Sequence, residues 1–113
     1  MGPAQRAVMT LEQMLEPQPA PTGDGPSIVD SLLPRLSSGI VREIVSLRRE
    51  QGRERYGTEL NAHNGRNAKA DLLQELVDAM IYLAQDELEN GVTFSASMYL
   101  LEAMVHRKIL ELR

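Results

Sequence analysis

Asp71-Leu72-Leu73-Gln74-Glu75-Leu76-Val77-Asp78-Ala79-Met80-Ile81-Tyr82-Leu83 is the stretch whose reading decides the fold. Its apolar residues recur at helical spacing. Asp71, Glu75, Asp78 and Tyr82 stand at i, i+4, i+7 and i+11, so they share one helix face. At about 100° per residue those four fall within an arc of roughly 60°. Leu72, Leu73, Leu76, Val77, Ala79, Met80, Ile81, Leu83, Ala84 and Leu88 sweep roughly 200° on the other side. Between Ala70 and His106 there are seven carboxylates and no Lys or Arg. A row of one sign either faces water or holds a cation. Helix geometry alone favours water, because the acids lie opposite the apolar arc.

Working outward, Asn67 is a fair N-cap for a helix over residues 68–89, which Asn90-Gly91 ends. Thr93 is expected to cap a last helix. Its apolar side carries Met98, Leu101, Val105 and either Ile109 or Leu110, and Lys108 and Arg113 suit the macrodipole near its end. Upstream, residues 58–67 read as a loop with an Asn64-Gly65 turn. Before it, a helix should start at Ser37 to Gly39, run to Tyr56 and stop at Gly57. Its apolar residues are Ile40, Val41, Ile44, Val45 and Leu47, and Glu50 and Glu54 continue the row of Leu47. Gly52 inside it costs about 1 kcal/mol relative to Ala, a cost that close packing against a neighbour would explain. Ser27, with Asp30 three residues on, caps a short helix through Leu33 that Pro34 breaks. Residues 1–26 have linker composition, with Pro17, Pro19, Pro21 and Pro26. Thr10 and Gln13 form a capping box for a short helix over 10–16. No strand period and no repeat is present. The expectation is an all-α chain: a mostly flexible Pro-rich tail over 1–26, then a small antiparallel helical bundle over 27–113, completed by oligomerisation.

Composition narrows the function classes. The chain has 113 residues, 42% hydrophobic, with a formal charge of −4 and no cysteine. That argues against nucleic acid as a partner and excludes disulfides and thiolate metal sites. No apolar run approaches the roughly 18 residues of a membrane span, and the N-terminus lacks a signal-peptide pattern, so a cytoplasmic location is expected. His63 and His106 have no liganding partner at suitable spacing, and there is no Gly-rich phosphate loop. Five arginines fall between Arg42 and Arg55, and the planar guanidinium suits carboxylate or phosphate.

Three features weigh against a merely solvated acidic face. A solvated face gains from mixed signs, and this one has a single sign. An apolar arc of roughly 200° exceeds the roughly 100° stripe of a surface helix, which predicts packing on both flanks and an acidic row left in a groove. The preceding helix offers Glu50 and Glu54, and facing antiparallel helices would gather oxygen donors suited to Mg²⁺. The competing structural expectation is that the arginines of 40–56 pair with the acids of 68–89, which is worth little at a surface.

Glu75-Leu76-Val77-Asp78, followed by Ala79-Met80-Ile81-Tyr82-Leu83, resembles the E-x-x-D helix of the MazG-like all-α nucleoside triphosphate pyrophosphohydrolases. Arg55-Tyr56-Gly57-Thr58-Glu59-Leu60 and Asn64-Gly65-Arg66-Asn67 are similar to short phage-type members. The resemblance covers roughly residues 38–90 and leaves the first 26 outside. It implies hydrolysis of (d)NTPs between the α- and β-phosphates, giving the monophosphate and pyrophosphate. It also implies Mg²⁺ or Mn²⁺ held by carboxylates of two helices, a homodimer or homotetramer, and, for a viral protein, the host cytoplasm. Glu75 and Asp78 are then metal ligands. The family's E-E-x-x-E group is met here by Glu50, Gln51 and Glu54, so Gln replaces the middle acid. Either the register differs, or Asp71 substitutes as a ligand, or activity is weakened. Glu54 is the candidate to orient the attacking water. Arg55, Arg66 and Lys69 are candidates for phosphate oxygens, the last two near a helix N-terminus whose amides favour anions. Asn64 and Tyr82 are candidates for base or sugar, each with a plainer role as turn and packing residue. The alternative function is a helical dimerisation or adaptor protein.

Overall fold

Residues 8–23 and 25–113 are described by a computed structural model. Among them the helices are α1 (Leu11–Met14), α2 (Ile28–Leu32), which runs into a 3-10 turn (Leu33–Arg35), α3 (Gly39–Tyr56), α4 (Ala68–Asn90) and α5 (Ser95–Leu112). An isolated bridge between Ser27 and Asn61 is the sole β pairing among the described residues. The chain is all-α, as its periodicity requires. None of the described helices is long and apolar enough to cross a membrane.

Local chemistry sets most boundaries. Thr10 and Gln13 form a complete capping box, with bonds of 2.9 and 3.1 Å in the two directions. Ser27 Oγ accepts from the Asp30 amide, and Asn67 Oδ1 from those of Lys69 and Ala70. Gly57 and Gly91 end α3 and α4 in the left-handed region, where a side chain would be strained. α5 departs from expectation. Its N-cap is Phe94, not Thr93, and no side chain caps it. Instead the Glu87 carboxylate reaches across from α4 to accept the Phe94 amide at 2.8 Å. A tertiary acceptor thus replaces the local hydroxyl.

The chain divides into two compact units. The first joins the described residues up to Pro17 with Asn67–Arg113. Here α4 and α5 form a hairpin, joined by Gly91–Phe94, with Lys69 at the start of α4 near enough to Glu111 at the end of α5 to act on its carboxyl. α1 packs on both helices. Met14 has no exposed surface, and the Gln74 amide donates to the carbonyls of Met14 and Glu16 at 3.0 Å each. Met14, Ala70, Leu73 and Leu76 are the buried apolar residues among those described, and all four belong to this unit. On α5, Met98, Leu101, Val105 and Ile109 are half-buried while Leu110 is exposed, which places Ile109 on the inward stripe.

The second unit, Gln18–Arg66, is held differently. Its buried residues are polar, Asn61 and Asn64. Residues 18–23, 25 and 26 lie along the loop 58–66, where Ala62 N donates to Pro26 O at 2.8 Å and Thr22 N to Asn64 O at 2.9 Å. Ile28 N donates to Leu60 O at 3.1 Å, and Asn61 Nδ2 to Gly23 O at 3.0 Å. α2 meets α3 through Asp30, whose carboxylate accepts from Arg49 at 2.7 Å. The apolar residues Ile40, Val41, Ile44 and Leu47 of α3 are all exposed, Ile44 at 61%.

Candidate functional site

The residues singled out by sequence fall in both units. Lys69, Asp71, Glu75, Asp78 and Tyr82 stand on α4 in the first unit. Glu50, Glu54 and Arg55 on α3, with Asn64 and Arg66 on the loop, belong to the second.

On α4 the acidic row is a surface feature. Glu75, Asp78 and Tyr82 are exposed and Asp71 is half-exposed. Among the described residues no hydrogen bond or ion pair engages Glu75 or Asp78. Their spacing of i, i+3 puts both carboxylates on adjacent turns of one face. One flank of α4, with Ala70, Leu73 and Leu76, is buried within its unit, whereas Leu72, Ile81 and Leu88 are exposed, Leu88 at 87%. The wide apolar arc is therefore only partly covered, against the expectation of packing on both flanks. Tyr82 edges a shallow groove of about 470 Å³ between α4 and α5, where Leu83, Leu100 and Leu101 supply an apolar floor. At the start of α4 the Lys69 and Ala70 amides are satisfied by Asn67. Those two donors are thus already engaged, which weakens the helix N-terminus as an anion site.

In the second unit the arginines of α3 find carboxylates close by. Arg53 donates through Nη1 to Glu50 at 2.6 Å and through Nη2 to Glu59. The Arg53 bond holds the Glu59 carboxyl below its ordinary range, and Glu59 raises the Arg53 guanidinium in turn. Gln51 accepts from Arg48 at 3.0 Å. Arg55 lies over the Tyr56 ring at 5.2 Å, a cation–π contact. Glu54 is exposed with no polar partner among the described residues. Asn64, only 8% exposed, turns its Oδ1 onto the Arg66 amide at 3.0 Å, so its side chain shapes the turn. Arg66 Nη1 donates to Pro19 O at 2.7 Å.

Chemically the Glu75–Asp78 pair fits a hard divalent cation, since both offer carboxylate oxygens at a wet surface without a competing base. Glu50 fits less simply, because one of its oxygens is engaged by Arg53. Among the described residues no three His, Asp or Glu are grouped so as to hold a metal by themselves. Sequence reading passed over Glu59 and Asn61. The signal for Glu59 was its place six residues after Arg53, beyond the helix stop, where the chain doubles back.

No protein-family model matches the chain, and neither curated proteins nor solved structures yield a significant match.

Proposed function

We propose that the chain is a MazG-like (d)NTP pyrophosphohydrolase, releasing pyrophosphate and the nucleoside monophosphate with Mg²⁺ or Mn²⁺. The observation that carries the reading is the exposed Glu75–Asp78 pair, without a hydrogen bond or ion pair among the described residues and set within the string that resembles the family. Glu75 and Asp78 would hold the cation, with Asp71 on the same helix as a further oxygen donor; Glu50 and Glu54 are the donors that the resemblance adds from the other unit. A bound divalent cation there would neutralise phosphate charge and acidify an attacking water. Glu54, exposed and without a polar partner among the described residues, is the carboxylate of the second unit suited to orient a water. Arg66, Arg55 and Lys69 would bind phosphate oxygens, and Tyr82 offers an apolar edge for base or sugar. Asn64 would act by shaping the turn that presents Arg66.

The test is an assay of pyrophosphate against orthophosphate over a panel of canonical and modified nucleotides with Mg²⁺ or Mn²⁺. At least one dNTP is expected to give metal-dependent pyrophosphate. No turnover anywhere on the panel, with no thermal shift by Mn²⁺, would sink the reading. The exposed apolar face of α3 favours a second reading, a helical dimerisation or adaptor protein. Self-association belongs to both readings, as homodimer or homotetramer in the first, so the pyrophosphate assay separates them.

A further inference from the structure

The loop 58–66 has an unusual shape for so short a segment. His63, at φ 55°, and Gly65, at φ 82°, both sit in the left-handed region within three residues. A non-glycine residue there is uncommon and needs support from its surroundings. That support comes from Pro19, Thr22, Gly23 and Pro26. Thr22 N holds the Asn64 carbonyl, Asn61 Nδ2 holds the Gly23 carbonyl, Ala62 N holds the Pro26 carbonyl, and the Pro19 carbonyl receives Arg66 Nη1. The approach is so close at one point that only glycine fits. A Cβ on Gly25 would run into the backbone carbonyl of Ala62, far inside van der Waals contact. The segment is also rich in proline, which restricts its conformations before it docks.

We infer that residues 18–23, 25 and 26 are a positioning strap for the nucleotide-binding turn Asn64-Gly65-Arg66, locked by Gly25 and Asn61; this rests on the function proposed above. The strap holds the turn in its strained shape and aims the Arg66 fork through Pro19 O. Gly25 and Asn61 act on the ligand only through that turn. Ordering the turn beforehand removes an entropic cost from ligand binding.

The test is calorimetric titration of the full chain with an α,β-methylene dNTP and Mg²⁺, beside amide exchange over residues 60–66. Gly25→Ala and Asn61→Ala are each expected to weaken binding, by about tenfold and about fivefold. Exchange at 60–66 should quicken while helix content stays unchanged. Asn61→Asp, which keeps the shape and loses the donor, should behave as Asn61→Ala. With Arg66 already Ala, adding Asn61→Ala should cost little more, since both act through one group. Wild-type protein that fails to bind the analogue overturns the inference together with the proposed function. Wild-type binding with both strap variants within twofold overturns the inference alone. Tighter binding by the variants also overturns it, because the strap would then cover the turn instead of positioning it.

Discussion

Asp78 and Glu50 are both carboxylates on helix surfaces, yet their surroundings make them different chemical objects. Asp78 has no basic neighbour on its helix face. Glu50 sits one turn from Arg53, which also grips Glu59. The proposed function therefore puts its test on the carboxylates that have no basic neighbour. Glu75→Ala and Asp78→Ala should abolish metal-dependent pyrophosphate release, with stability changed by less than about 0.5 kcal/mol, as is usual at exposed positions. Release assays beside chemical denaturation check both halves, and a solvated acidic face would leave any activity intact. Glu59 carries a pH prediction. Its carboxyl titrates below its ordinary 4.5, chiefly through the Arg53 bond. On unfolding it would take up protons that the folded form refuses. Its contribution to stability is therefore full above the ordinary glutamate range and is lost as pH falls through the lowered value. Glu59→Gln should flatten the acid limb of the stability profile, read from melting temperatures between neutral and acid pH.

At the scale of elements, α3 and α4 show how far periodicity carries. Caps at Asn67, Gly57 and Gly91 are local chemistry, visible in consecutive residues, and they stand where the sequence puts them, while α3 starts within the expected Ser37 to Gly39, capped by Ser38. Packing was less legible. The apolar arc of α4 implied two covered flanks, but only Ala70, Leu73 and Leu76 are buried. Gly52 invited a close neighbour, yet nothing lies within 4 Å of the Cβ position there. Gly52→Ala should accordingly stabilise the protein by up to about 1 kcal/mol through helix propensity, seen as a raised midpoint in urea. The start of α5 was misread for a related reason. Thr93 has the chemistry of a cap, but Glu87, seven residues before Phe94, reaches the amide first. The strap was equally hidden, because its bonds join segments some forty residues apart and are largely backbone to backbone.

At the scale of the molecule, the balance of buried and exposed surface stands out. The buried apolar side chains of the described residues number four, while Ile40, Val41, Ile44 and Leu47 on α3 and Tyr99 and Leu100 on α5 lie open. A chain of 113 residues ordinarily buries more, since burial rises with size. Exposed apolar patches of this kind mark association surfaces. Sedimentation should find a dimer or larger assembly, and Ile44→Glu should shift it toward monomer. Wild-type monomer at all concentrations would contradict the oligomeric part of the proposed function.

Helices, their stops and the caps other than that of α5 were determined by the sequence itself, because they depend on the 3.6-residue period and on side chains within a few positions of each backbone group. The all-α class and the single-signed row of Asp71, Glu75 and Asp78 belong with them. Tertiary structure alone decided which apolar flank is covered, that Arg53 pairs with Glu50 and Glu59, that Asn64 turns inward, and that a proline-rich strap shapes the loop. These depend on the meeting of distant segments, where burial and hydrogen bonding compete among many partners and no local pattern names the winner.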